Sequence, residues 1–251
     1  MTEDEWLACT DPTPMLDLLF GLPPWSRWLR TGPYTDEEEA ALLNRRRMAV
    51  ASDRKLRLFS CACCRRIWHL LTHPPSRVAV EVAERYADGL AAGEELASAR
   101  DTGRPGYPYH SDPAGDPAVW AADPDAEAAT HAWGDAAHFA AYVTCRAVPE
   151  EEAEGVCDAA WAENCRVTCD LLRDIFGNPF RPAAVDPDWL TPSVVELSRS
   201  IYDDRAFDRM PELADVLERA GCTNANVLEH CRGPGPHVRG CWIVDLLLGK
   251  E

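Results

Sequence analysis

Apolar positions recur along this chain at helical spacing, and clusters of turn residues separate the runs. Between Asp53 and Leu71, Phe59, Cys63, Ile67 and Leu71 fall at every fourth residue and make one stripe, while Cys61, Cys64 and Trp68 occupy a second face. A helix that is apolar on two faces belongs in the interior of a fold. Val78, Val82, Tyr86 and Leu90 predict a further helix from Arg77 to Leu90, entered through Pro74-Pro75-Ser76. An Ala-rich helix is expected over about Asp125 to Val148. A long one follows from Pro149 to Phe176, with Cys157, Trp161, Cys165, Cys169 and Leu172 on its core side.

Punctuation sharpens the boundaries. Thr2 with Glu5 is a capping-box signature, and Pro14 to Phe20 supplies a turn or two more. Thr35 before Asp36-Glu37-Glu38, Ser52 before Asp53, and Thr191 before Pro192 all read as N-caps. The Thr191 helix runs to about Tyr202, and another spans Pro211 to Ala220 with Gly221 closing it. Asn224 to Cys231 reads as one short turn. No alternation of strand length stands out, so the expected class is all-α: an irregular multi-helix bundle, a single domain over 1–251 with a docked C-terminal tail. Leu22 to Tyr34, with Pro23-Pro24 and two tryptophans, reads as an irregular loop, and 101–117 as a mobile loop.

Composition narrows the class. With 46% hydrophobic residues the chain is neither disordered nor membrane-spanning in character, and its longest apolar run, Trp242 to Leu248, is broken by Asp245. The N-terminus is acidic and lacks the basic-then-apolar order of a signal peptide, so a cytoplasmic location is the expectation. A net charge of −17 repels a nucleic-acid backbone, and neither Arg45-Arg46-Arg47 nor the Arg54 to Arg66 cluster overcomes it. No membrane and no nucleic-acid partner is expected. Eleven cysteines are many, and their odd number with adjacent Cys63 and Cys64 reads as reduced thiols.

Two segments carry a resemblance. The run from Leu58 to His69, containing Cys61-Ala62-Cys63-Cys64-Arg65-Arg66-Ile67-Trp68-His69, is similar to one signature of a family of uncharacterised proteins expanded in planctomycete bacteria. The run from His230 to Trp242, containing His230-Cys231-Arg232-Gly233-Pro234-Gly235-Pro236-His237, resembles another. Arg173 to Pro182 shares in the likeness, the Ala-rich middle shares little, and 22–51 is inserted relative to it. The resemblance implies no activity, cofactor or catalytic residue.

The tail is also the best place for chemistry. Cys222, Cys231, His237 and Cys241 are soft or borderline ligands gathered around a Gly-Pro-Gly-Pro loop, with His230 as an alternative ligand. Adjacent His230 and Cys231 point about 100° apart on a helix, so one ion would use one of them. The spacing is that of no standard zinc module. A metal-free reading competes, with Cys222 and Cys231 as core thiols and His237 bonding a carbonyl in a structural clasp.

Other clusters are bland. Cys61, Cys63 and Cys64 with His69 read as buried small residues. Glu127, His131, Asp135 and His138 share one face of the predicted Ala-rich helix and read as a solvated one. No phosphate loop, nucleophile elbow or zinc-protease helix is present, which points away from an enzyme. The leading expectation is a non-enzymatic helical protein-interaction or regulatory module, with Trp25 and Trp28 anchoring a protein partner. The alternative is a zinc-binding metalloprotein whose C-terminal site is structural or, less readily, hydrolytic with Asp245 or Glu229 as base.

Overall fold

The computed structural model describes residues 1–20, 51–103 and 115–250. The expected insertion and its helix at Thr35, Trp25 and Trp28 included, and the 104–114 part of the expected loop lie outside those residues. Among the described residues there is no strand, and the architecture is all-α. No helix among them is long and apolar enough to cross a membrane. They group into two compact units, Met1–Cys169 and Asp170–Glu251.

In the first unit the helices are α1 (Glu3–Ala8), α2 (Pro12–Phe20), α3 (Asp53–Arg66), α4 (Pro74–Ala87), α5 (Gly93–Gly103), α6 (Gly115–Ala121), α7 (Ala126–Ala129), α8 (Ala132–Cys145) and most of α9 (Glu150–Phe176). The capping box at Thr2 is formed, with both of its reciprocal hydrogen bonds, and Ser52 accepts from the Lys55 N–H to start α3. As its two apolar faces require, α3 is central and packs against α4, α6, α7 and α8. Cys61, Cys63 and Cys64 are buried, and burial pushes the Cys63 thiol up to about 12. These are inert core thiols.

Two charged side chains brace α3. Buried Arg57 donates to the backbone carbonyls of Ala121, Asp123 and Pro124 in the α6–α7 connection. Arg65 grips Glu84 of α4 with two hydrogen bonds of 3.0 and 2.7 Å.

The sequence pattern is corrected in four places. Gly93–Gly103 is helical where the pattern predicts no element up to 100 and a loop from 101, and Gly115–Ala121 is helical through the last three residues of that same expected loop. The Ala-rich helix breaks at Thr130–His131, where His131, Trp133 and Gly134 donate to carbonyls three residues back rather than four. That break splits Glu127 from the His131–His138 face; His131 packs on Trp120 and His138 on Trp161. Cys145 and Cys157 form a disulfide between α8 and α9, against the expectation of eleven reduced thiols; the other nine cysteines are outside disulfides.

The second unit holds the end of α9, then α10 (Pro192–Asp204), α11 (Met210–Arg219), α12 (Ala225–Arg232) and α13 (Trp242–Leu248). Thr191 caps α10 as its sequence predicts. Contacts of α10 with α11 and α13, and of α11 with α12, enclose a core that includes Ile201, Leu213, Leu217, Val227, Ile243 and Leu247. Each such side chain contributes about 1.5–3 kcal/mol through burial. The tail is therefore docked, by the apolar face of α13.

Candidate metal centre

Asp174 lies in the last turn of α9, one residue before buried Ile175 and three after buried Leu171. Its position on a core-facing stripe leaves the carboxylate 2% exposed. Gly177 then ends the helix at φ +66°, with its N–H on the Arg173 carbonyl. A β-carbon there would stand 3.1 Å from the Trp242 indole, so a glycine lets that ring lie against the helix end.

The remaining groups come from the tail. His230 sits in the last turn of α12, His237 follows the Gly-Pro-Gly-Pro loop, and Cys241 is the N-cap of α13. Gly235 adopts φ +81°, and a β-carbon on it would fall 2.8 Å from the backbone nitrogen of His237. The tight loop thus places His237 back over α9.

Four side chains converge. Oδ1 of Asp174 is 2.8 Å from Nδ1 of His237 and 3.1 Å from Nε2 of His230, while Oδ2 accepts from the Val238 N–H at 3.0 Å. Nε2 of His230 is also 3.2 Å from Sγ of Cys241. The other histidine nitrogens differ in polarity: Nε2 of His237 faces the Gly233 carbonyl at 3.4 Å, whereas Nδ1 of His230 accepts from the Trp242 indole N–H at 3.2 Å. The two imidazole rings meet edge to face with centroids 4.9 Å apart.

Electrostatics favour a carboxylate at the centre. Burial alone would raise the Asp174 pKa, but hydrogen bonds and charge from His230 and His237 outweigh it and hold the group below the ordinary carboxylate range. The Cys241 thiol goes the other way, pushed well above its usual value by burial and then by the neighbouring Asp174 charge. The amides of Val244 and Ile243 oppose that shift. A bound dication would reverse it, since a coordinating thiol loses its proton.

The donor set fits a metal. One oxygen, two imidazole nitrogens and one sulfur lie within 4.8 Å of one another. Tetrahedral zinc, with bonds of about 2.0–2.3 Å, keeps its ligands roughly 3.3–3.8 Å apart. The contacts of 2.8–3.2 Å are near that range, and the widest pair has to close by about 1 Å. Asp174, His230, His237 and Cys241 could therefore hold an ion.

Of the ligands expected from sequence, His237, Cys241 and the alternative His230 meet here. Cys222 and Cys231 stand outside the group, as buried members of the apolar core. Burial pushes the Cys231 thiol up to about 12, helped by the charges of Cys222 and Asp174. Sequence reasoning missed Asp174, although an acid among Leu171, Leu172 and Ile175 on a buried helix face was the available signal. The tail's Asp245 is also buried, and Glu229 is exposed. The chain matches no protein-family model, and comparison with curated proteins and with solved structures finds no match.

Proposed function

We propose that the second unit is a metal-binding module in which the Asp174–His230–His237–Cys241 cluster takes up one zinc ion, joining the end of α9 to the tail. The convergence of a carboxylate, two imidazoles and a thiol from three separate stretches carries this reading. Sulfur and imidazole donors favour zinc over magnesium or calcium, which take oxygen. The ion's chief effect is on folding: it ties residues 230–242 to the end of α9, and its binding energy adds to the stability of the unit.

One observation favours a competing metal-free clasp. Asp174 already receives donors from His237, His230 and the Val238 amide, which satisfies a buried carboxylate without an ion. Elemental analysis of protein purified without added metal separates the two. A metal module retains about one zinc per chain, loses it in Asp174→Ala and Cys241→Ser, and keeps it in Cys222→Ser and Cys231→Ser. Metal-free protein with a melting temperature indifferent to chelator and to added zinc supports the clasp instead.

A further inference from the structure

The two histidines of the cluster are wired in opposite senses. An imidazole that binds a metal through one nitrogen normally carries its proton on the other and donates it to an acceptor. His237 is arranged that way: Nδ1 faces Asp174, and Nε2 faces the Gly233 carbonyl, a pure acceptor. His230 is arranged in reverse. The indole N–H of Trp242 is a donor only, so Nδ1 of His230 has to accept, and the ring's single proton then sits on Nε2. That proton points at Oδ1 of Asp174 and Sγ of Cys241, so Nε2 meets these groups as a donor and offers a metal no lone pair.

Trp242 is not free to yield. Its ring lies against Gly177 on one side and packs on His230 at a centroid distance of 5.3 Å, and it heads the helix whose apolar face docks the tail. Turning the His230 ring over would set a carbon against the indole N–H and leave that donor without an acceptor. His230 is also the most exposed of the cluster at 19%, against 8% for His237 and 2% for Asp174.

We propose that the metal is held by three protein ligands, Asp174, His237 and Cys241, with solvent in the fourth position, while His230, fixed by Trp242, keeps its Nε2 donor on the ligating Asp174 Oδ1 and Cys241 Sγ from outside the coordination shell. This inference rests on the metal-module reading above. Three protein ligands and one solvent ligand give an exchangeable coordination position, the arrangement of zinc centres that act on a bound oxygen rather than those that only brace a fold. His230 is then a positioning residue, and Trp242 is the group that keeps it out of the coordination shell.

X-ray absorption on the zinc-loaded full chain tests this directly, because scattering from the outer atoms of imidazole counts the histidines on the metal. The expected count is one in the wild type and two in Trp242→Phe, where loss of the indole donor frees His230 Nδ1 to carry the proton. Zinc affinity, measured by competition with a chromophoric chelator, should fall about tenfold in His230→Ala and drop out of range in His237→Ala. Two imidazoles on the wild-type zinc, or loss of zinc in His230→Ala as complete as in His237→Ala, overturns the inference while leaving the module intact. A wild-type chain that takes up no zinc overturns both.

Discussion

Oδ1 of Asp174 lies 2.8 Å from Nδ1 of His237, sixty-three residues further along the chain. An acid on the buried face of a helix is tolerated only if other elements bring it donors, and here the tail brings three. Asp174 and the tail therefore hold each other in place. Asp174→Ala should destabilise the second unit by about 3 kcal/mol even without metal, because two imidazoles and an amide lose their acceptor. Urea unfolding followed by tryptophan fluorescence reads this; a loss under 1 kcal/mol would mean that the tail docks through α13 alone.

Two glycine substitutions should act in opposite directions. At Gly177 a methyl group meets the Trp242 ring at 3.1 Å on a backbone of φ +66°, so Gly177→Ala should cost about 1–2 kcal/mol. At Gly155, inside α9, nothing lies within 4 Å, and Gly155→Ala should stabilise by about 0.5–1 kcal/mol. Thermal melts of the two variants check the pair, and a neutral Gly177→Ala would contradict the close approach of the indole.

Arg57 is buried and donates to three backbone carbonyls. Arg57→Leu should cost roughly 3 kcal/mol by leaving those carbonyls without a donor. Chemical denaturation of the first unit measures the loss, and wild-type stability would show that the α6–α7 connection finds other donors.

Alkaline pH should weaken the first unit through Cys63. An unfolded thiol titrates near about 8.5, whereas the folded one, raised by burial, titrates near about 12. Between those values the unfolded chain has lost the proton and the folded chain keeps it, so each rise in pH favours unfolding. The full contribution is present below the lower value and is lost towards the higher one, at up to about 1.4 kcal/mol per pH unit. Melting temperature should fall more steeply in wild type than in Cys63→Ala over pH 8 to 11; identical slopes would show a thiol more accessible than its burial indicates.

Local chemistry carried much of the fold. The Thr2 box, the Ser52 and Thr191 caps and the two-faced Asp53 helix are interactions within a few residues, and all were legible. The break at Thr130 was not, because alanine is content in either a continuous or an interrupted helix and leaves no periodic signal. The site was half legible for a similar reason. His230, His237 and Cys241 are close in sequence and advertise their chemistry, but the choice of Asp174 over Cys222 and Cys231 depends on where α9 ends against the tail. That is a long-range contact, and sequence spacing within the tail cannot report it.

Cobalt titration of the metal-free chain decides between a metal centre and a clasp, since cobalt(II) reports both the geometry and the sulfur of a zinc site. A metal centre should saturate at about one cobalt per chain, with four-coordinate ligand-field bands and a sulfur-to-cobalt charge-transfer band that disappears in Cys241→Ser and persists in Cys231→Ser. A spectrum of hexa-aquo cobalt throughout the titration, unchanged by Cys241→Ser, would show that Asp174 and the two histidines form a hydrogen-bonded clasp and bind no metal.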